Sequence, residues 1–203
     1  MSRTAAETVI LASASPVRRR LLENAGFGTE VRPARIDEDA IRAGLEQQGA
    51  GARDVADVLA EQKARRVSAR RPGALVIGAD QVLEIEGEIL TKPGGTEAAR
   101  AQLRRLRGRT HRLFSAAVIC RDGQPQWRHV GVARLTMRDF SDAFLEDYLA
   151  EAGASIHGCV GCYQLEAVGI RLFSRVEGDY FTVLGLPLIE LTNHLYQSGF
   201  LKP

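Results

Sequence analysis

The stretch "ILASASPVRRRLLENAG", residues 10–26, changes character twice and sets the fold. Thr8 to Leu11 is a short apolar, partly β-branched run that predicts a strand. Ser15 followed by Pro16 is an N-cap residue before the residue best suited to the first helical position. A helix therefore starts at Ser15, with Val17, Leu21, Leu22 and Ala25 on one apolar face, and Gly26 supplies a left-handed stop. A strand that feeds a serine turn and then a helix N-terminus brings hydroxyls, free backbone N–H groups and the positive end of the helix dipole to one point. That point suits an anion. Arg18, on the first turn, can add a bidentate guanidinium, whereas Arg19 and Arg20 point elsewhere around the helix and toward solvent. A capped helix with a basic exposed face would use the same residues.

Working outward, "GTEVRPARIDEDA" (28–40) predicts a strand and then an acidic loop in which Asp37, Glu38 and Asp39 cluster. Residues 52–71 predict a helix that carries Lys63 and ends at Pro72-Gly73. "ALVIGAD" is an apolar strand expected to stop at Asp80. Because "QVLEIEGEIL" follows at once as a hairpin about Glu86-Gly87, Asp80 is no simple turn residue, and a carboxylate at the end of a buried strand points to function. A helix is expected from a Thr96 N-cap to Gly108. A long antiparallel pair is expected about Asp122-Gly123, and a helix capped by Ser141 follows it. Residues 163–176 read as a strand region, 177–187 as a loop, and Leu188 to Gln197 as the last helix. The fold class is α/β with a mixed, partly antiparallel sheet, since hairpins outnumber strand-helix-strand units, and 1–203 is a single domain without repeats or linkers.

The 203 residues, 45% hydrophobic and 26% charged, are ordinary for a globular protein. No apolar run approaches the roughly 20 residues that span a bilayer. The first fifteen residues lack a secretory pattern, so a cytoplasmic location without membrane contact is expected. A formal net charge of +2 gives no case for stable nucleic-acid binding. Only Lys63, Lys92 and Lys202 are lysines among 27 basic residues. In so arginine-rich a chain, an internal lysine marks a place that wants a compact ammonium, which singles out Lys63 and Lys92. "HGCVGC" (157–162) holds a C-x-x-C, but a fourth ligand for zinc is missing and the glycines do not suit a redox helix. Cys120, Cys159 and Cys162 are expected to be small buried thiols.

P-loop, Rossmann and nucleophile-elbow patterns are all lacking, and the four histidines form no i, i+4 pair. What remains is a phosphate-type turn, Asp80, two lysines and the acidic cluster at 37–39. Together they fit metal-assisted phosphate chemistry.

"LASASPVRR", "GADQVL" followed by "GEILTKP", "LRGRTH" and "VEGDYFTVLGLPLIEL", in this order, resemble the Maf family of nucleoside triphosphate pyrophosphatases, also described as septum formation inhibitor proteins. The likeness runs from about residue 9 to 199. It implies an elongated α/β fold with two lobes around a cleft, similar to inosine triphosphate pyrophosphatases. It also implies cleavage of a nucleotide between its α- and β-phosphates with a divalent cation, Mg²⁺ or Mn²⁺, and is compatible with a homodimer. By this resemblance Ser13, Ser15 and Arg18 would hold phosphates and Asp80 would take the proton of the attacking water. Lys63 and Lys92 would neutralise phosphate charge and Glu38 would hold the metal. The exchanged assignment, Asp80 on the metal and Glu38 as base, fits the same residues.

Three positions address the base. The branch acting on dTTP and UTP carries Arg, Thr and Gln where this chain has Val17, Gln81 and Glu166; the latter set resembles the branch associated with 7-methyl-GTP. A carboxylate at Glu166 can accept from guanine N1–H and its 2-amino group together, and N7 methylation adds a positive charge that a carboxylate favours. The chain departs from that branch at Gln164, where lysine is frequent, and at "CVGC". A dTTP/UTP pyrophosphatase and a non-catalytic nucleotide-binding regulator of cell division are the competing readings.

Overall fold

Two tight hairpins build the centre of the sheet. Glu86 and Gly87 (φ 55° and 85°) and Asp122 and Gly123 (φ 51° and 74°) put consecutive residues in the left-handed region, as the favoured two-residue hairpin turn requires. The computed structural model describes residues 8–201; Lys202 and the residues before Thr8 lie outside it. Its strands are β1 (Thr8–Leu11), β2 (Gly28–Val31), β3 (Val76–Ile85), β4 (Glu88–Leu90), β5 (Thr110–Arg121), β6 (Gln124–Met137) and β7 (Phe173–Glu177). They form one sheet in the order β2-β1-β3-β5-β6-β7, with β4 attached to β3. β1 runs parallel to β2 and β3, and every other pair is antiparallel. The mixed α/β sheet read from the sequence is the one found.

The pairing of β3 opens a gap. On one side β3 pairs with β5 continuously from Val76 to Glu84. On the other, β1 reaches only Val76 and Ile77, and β4 begins at Leu83. Residues 78–82 therefore present an edge that neither strand covers. Strand alternation sends Asp80 to one face of the sheet and Gln81 to the other, and both are reachable from that edge.

Packing divides along the same line. Helix α3 (Ala52–Ser68) covers the Asp80 face, burying Val55, Leu59 and Ala60 against Val82, Phe114, Ala116 and Val118. The opposite face carries two clusters. One joins α1 (Pro16–Asn24) and α7 (Leu188–Gln197) to Ile77, Ala117 and Ile119. The other joins α4 (Thr96–Leu106) and α5 (Asp142–Ala152) to Leu83, Leu113 and Leu135. Each fully buried leucine in these clusters contributes about 1.5–3 kcal/mol. Gln81 and Ser115 pair across strands between the two clusters, at the level of the gap.

Several expectations need correction. The acidic stretch is the start of a helix, α2 (Glu38–Gln47), with Asp37 as N-cap accepting from Ala40 N–H at 3.0 Å and acids in the first turn where the helix dipole favours them. β3 does not stop at Asp80; its pairing with β5 carries it through to Ile85. Gly95, not Thr96, is the N-cap of α4. The region 163–172 is turns and short 3₁₀ segments, with strand only from Phe173. The predicted loop 177–187 contains a single helical turn, α6 (Tyr180–Val183). Ser15 and Ser141 cap α1 and α5 as expected. Among the described residues no helix is long and apolar enough to cross a membrane.

Candidate active site

Asp80 and Lys63, each 7% exposed, meet where α3 crosses β3. Lys63 Nζ lies 2.6 Å from Asp80 Oδ1 and 2.9 Å from Glu38 Oε1, so one ammonium holds two carboxylates from separate elements. The site then has a formal charge of −1. Glu38 is half-buried and faces solvent on one side, whereas Asp80 is enclosed. Gly78, on the same face two residues before Asp80, makes this approach possible. A Cβ there would stand 2.1 Å from Ala60 O and 2.7 Å from Ala64 N, inside the backbone of α3. Only glycine lets the helix lie this close, and the helix carries Lys63.

The serine turn is knotted together beside the open edge. Ser13 is buried, and its Oγ accepts from Ser15 N–H at 3.3 Å and from Arg18 Nη1 at 3.1 Å. Ser15 Oγ accepts from Arg18 N–H at 3.3 Å. Arg18 also donates through Nη1 to Ala79 O (3.0 Å) on the open edge of β3 and through Nε to Gly185 O (2.7 Å). Its guanidinium is thus partly structural: Nε and Nη1 brace the turn, and Nη2 is the nitrogen left for a ligand. Burial lowers the Arg18 pKa, and Asp80 and Glu38 oppose that shift by favouring the cation.

On the opposite face, Ser115 and Gln81 tie α6 to the sheet. Ser115 Oγ donates its one proton to Thr182 O at 2.7 Å, so its 2.9 Å contact with Gln81 is an N–H bond that the serine accepts. Gln81 Nε2 also lies 3.0 Å from Val183 O and 3.3 Å from Thr182 O. Three acceptors converge on one atom, which fixes it as the NH₂. The carbonyl oxygen of Gln81 is consequently the atom left to meet a ligand.

The remaining predicted residues lie on neighbouring elements. Val17 is half-buried against the α1/α7 cluster. Lys92 is exposed just beyond β4, and its charge is felt at Cys159. Glu166 lies on the 163–172 segment, whose Leu165 and Val168 pack on the α4/α5 cluster. Arg20 is exposed, as expected, and also reaches across from α1 to stand 3.7 Å from Glu166 Oε1. The structure joins Asp80, Lys63 and Glu38 directly and joins Ser13, Ser15 and Arg18 directly. It brings Lys92 into contact with neither set.

With this geometry in place, the comparisons with known proteins are decisive. The family described as Maf-like protein matches residues 8–198. The chain belongs to the Maf family. It is 53% identical over 193 residues to the nucleoside triphosphate pyrophosphatase of Roseobacter denitrificans, covering 95% of this chain and 97% of that protein. It is 51% identical over 193 residues to a protein of Mesorhizobium japonicum named 7-methyl-GTP pyrophosphatase, covering 95% and 97%. The nucleoside triphosphate pyrophosphatase of Caulobacter vibrioides is 50% identical over 193 residues, with 95% and 96% covered.

A Maf protein is expected to use a divalent cation, and the donor set fits one. Asp80 and Glu38 share one ammonium, that of Lys63, and Glu38 keeps a side open to solvent, so the carboxylate oxygens are hard donors of the kind that suit Mg²⁺ or Mn²⁺. Among the described residues no three acidic, histidine or cysteine side chains gather. Mg²⁺ commonly takes one or two carboxylates together with substrate phosphates rather than a full protein cage. Of the three thiols expected to be buried, Cys120 and Cys162 are, whereas Cys159 of the C-x-x-C is only half-buried because it sits in the irregular 153–162 segment at the surface. Cys162 is buried against Gln102, and burial pushes its pKa up to about 12. Two residues at the site escaped sequence reasoning, Arg20 and Ser115. Arg20 carried no signal, because which side of α1 meets the far segment depends on the whole fold. Ser115 had one in retrospect, as a hydroxyl in an otherwise apolar strand run.

Proposed function

We propose that this chain, a Maf-family nucleoside triphosphate pyrophosphatase, hydrolyses the bond between the α- and β-phosphates of a nucleotide in the cytoplasm and prefers 7-methyl-GTP. The observation that carries the chemistry is the shared ammonium of Lys63, which holds Asp80 and Glu38 beside an uncovered strand edge and a serine-arginine turn. The triphosphate lies along that edge. Ser13, Ser15 and Arg18 Nη2 bind it at the N-terminus of α1, and Lys92 offsets its charge from beyond β4. Asp80 takes a proton from water as the water oxygen bonds to the α-phosphorus. The bridging P–O bond breaks, and its electron pair leaves with pyrophosphate. Lys63 fixes both carboxylates in position for this step. Glu38 would hold the divalent cation, which supplies Lewis-acid stabilisation of phosphate charge when bound.

The base preference is supported by hydrogen-bond polarity. Gln81 offers a carbonyl oxygen and Glu166 a carboxylate, so both positions offer acceptors. Guanine presents two kinds of donor on its pairing edge, N1–H and the 2-amino group, where thymine and uracil present one. Half-buried Val17 adds an apolar wall, and the Mesorhizobium relative bears the corresponding name.

The test is turnover of 7-methyl-GTP, GTP, dTTP, UTP, CTP and inosine triphosphate with Mg²⁺ or Mn²⁺, with pyrophosphate resolved from single phosphate and an Asp80→Asn control. Pyrophosphate released fastest from 7-methyl-GTP is the expected result. Preference for pyrimidines would keep the chemistry and overturn the base assignment. No turnover of any nucleotide would leave a binding protein.

A further inference from the structure

We infer that Arg20 sets how strongly the site discriminates a positively charged base from its neutral counterpart. The inference rests on the proposed reading that Glu166 faces the base. Arg20 Nη2 stands 3.7 Å from Glu166 Oε1, beyond hydrogen-bond reach but well within Coulombic reach. The Glu166 side chain is 19% exposed and that of Arg20 59%. The neighbouring arginines of α1 are engaged elsewhere: Arg19 binds Glu23 at 2.7 Å, and Arg18 braces the serine turn. Arg20 alone extends from α1 to the far segment.

This arrangement separates two properties of a carboxylate that usually travel together. The Glu166 oxygens accept no hydrogen bond from Arg20, so their capacity to accept from a base stays intact. Their negative charge is offset by the guanidinium nearby. With N1 protonated, guanine and 7-methylguanine offer the same N1–H and 2-amino donors and differ by one methyl group and one positive charge. The acceptors therefore treat the two bases alike, and the local field treats them differently. With Arg20 present the field of Glu166 is weakened and the preference for the cationic base is graded. Without it the full charge of Glu166 acts on the ligand.

The experiment compares kcat/KM for 7-methyl-GTP and GTP in the wild type, Arg20→Gln, Arg20→Lys and Glu166→Gln. It also measures affinities for the corresponding monophosphates by calorimetry on Asp80→Asn backgrounds. Arg20→Gln is expected to raise the 7-methyl-GTP to GTP ratio about threefold to tenfold at low ionic strength, through KM rather than kcat. The gain should shrink as salt screens the charges. Arg20→Lys, which keeps the charge, should stay near the wild-type ratio, and Glu166→Gln should lower it. A purely structural role for Arg20 would depress both nucleotides together and leave the ratio unchanged. If Glu166→Gln changes the ratio and Arg20→Gln does not, the inference is overturned while the reading of Glu166 stands. If Glu166→Gln also leaves it unchanged, Glu166 does not face the base and both fall.

Discussion

Lys63 and Asp80, 17 residues apart in sequence, form a 2.6 Å ion pair across the packing of α3 on β3. The same ammonium reaches Glu38, so each acid retains a partner if the other is neutralised. Asp80→Asn should therefore fold normally and lose about 10²–10⁴ in kcat, the range for losing a general base. Glu38→Gln should lose less and need more Mg²⁺ for half-maximal rate. A larger kcat loss in Glu38→Gln than in Asp80→Asn would exchange their roles. Lys63→Met leaves two carboxylates facing each other without a cation, and urea unfolding should register a loss of about 3–5 kcal/mol.

Gly78→Ala tests the helix-to-strand contact itself. Its new methyl group would meet the Ala60 carbonyl at 2.1 Å, against backbone that has no rotamer with which to yield. We expect a stability loss of about 3 kcal/mol, the upper part of the overpacking range. A drop in kcat should accompany it, since any retreat of α3 lengthens the Lys63–Asp80 contact. Wild-type stability together with wild-type kcat would show that α3 is not held where we describe it.

Arg18→Lys should weaken the serine turn although the charge is kept. A lysine cannot serve Gly185 O and Ala79 O with the planar fork that arginine uses. Loss of charged hydrogen bonds to carbonyls corresponds to about 1–3 kcal/mol. Calorimetric titration with a non-hydrolysable triphosphate analogue should show weaker binding as well. Unchanged affinity would remove Arg18 from the phosphate site.

His111 makes acid stability measurable. It is buried, bonded to Tyr163 Oη at 2.8 Å, and burial lowers its pKa to about 4. The unfolded chain, with a histidine near 6.5, binds a proton that the folded chain refuses. The stabilisation is therefore complete above pH 6.5 and is lost as pH falls toward 4, amounting to about 3 kcal/mol. Urea midpoints at pH 7 and pH 4.5 should differ more for wild type than for His111→Gln; equal differences would sink the assignment.

Local chemistry made part of this fold legible. The strand-turn-helix at Ser15-Pro16, the hairpins at Glu86-Gly87 and Asp122-Gly123 and the Ser141 cap each announce themselves within a few residues. What escaped depends on distant partners. Asp80 looked like a strand end because a carboxylate interrupts an apolar run, yet nine paired positions on β5 and an ammonium on α3 keep it inside the strand. The acids at 37–39 looked like a loop although a capping aspartate followed by first-turn acids also marks a helix start. Residues 163–172 alternate like a strand but turn back on themselves, with Gly169 against the Gln164 backbone. At the site, Asp80, Lys63 and Glu38 stood out by residue type and by family likeness. The contact of Arg20 with Glu166 exists only once two separate packing clusters face each other.

Asp80 and Gln81 are consecutive residues that leave β3 on opposite faces, one toward Lys63 and the other toward Ser115. A change on the Gln81 side, at Ser115, Glu166 or Arg20, meets none of the groups that hold Asp80. Under the proposed reading, a lineage can alter its diet of nucleotides by point substitutions while the hydrolytic apparatus is inherited intact. A single peptide bond is the partition between what is free to vary and what is not.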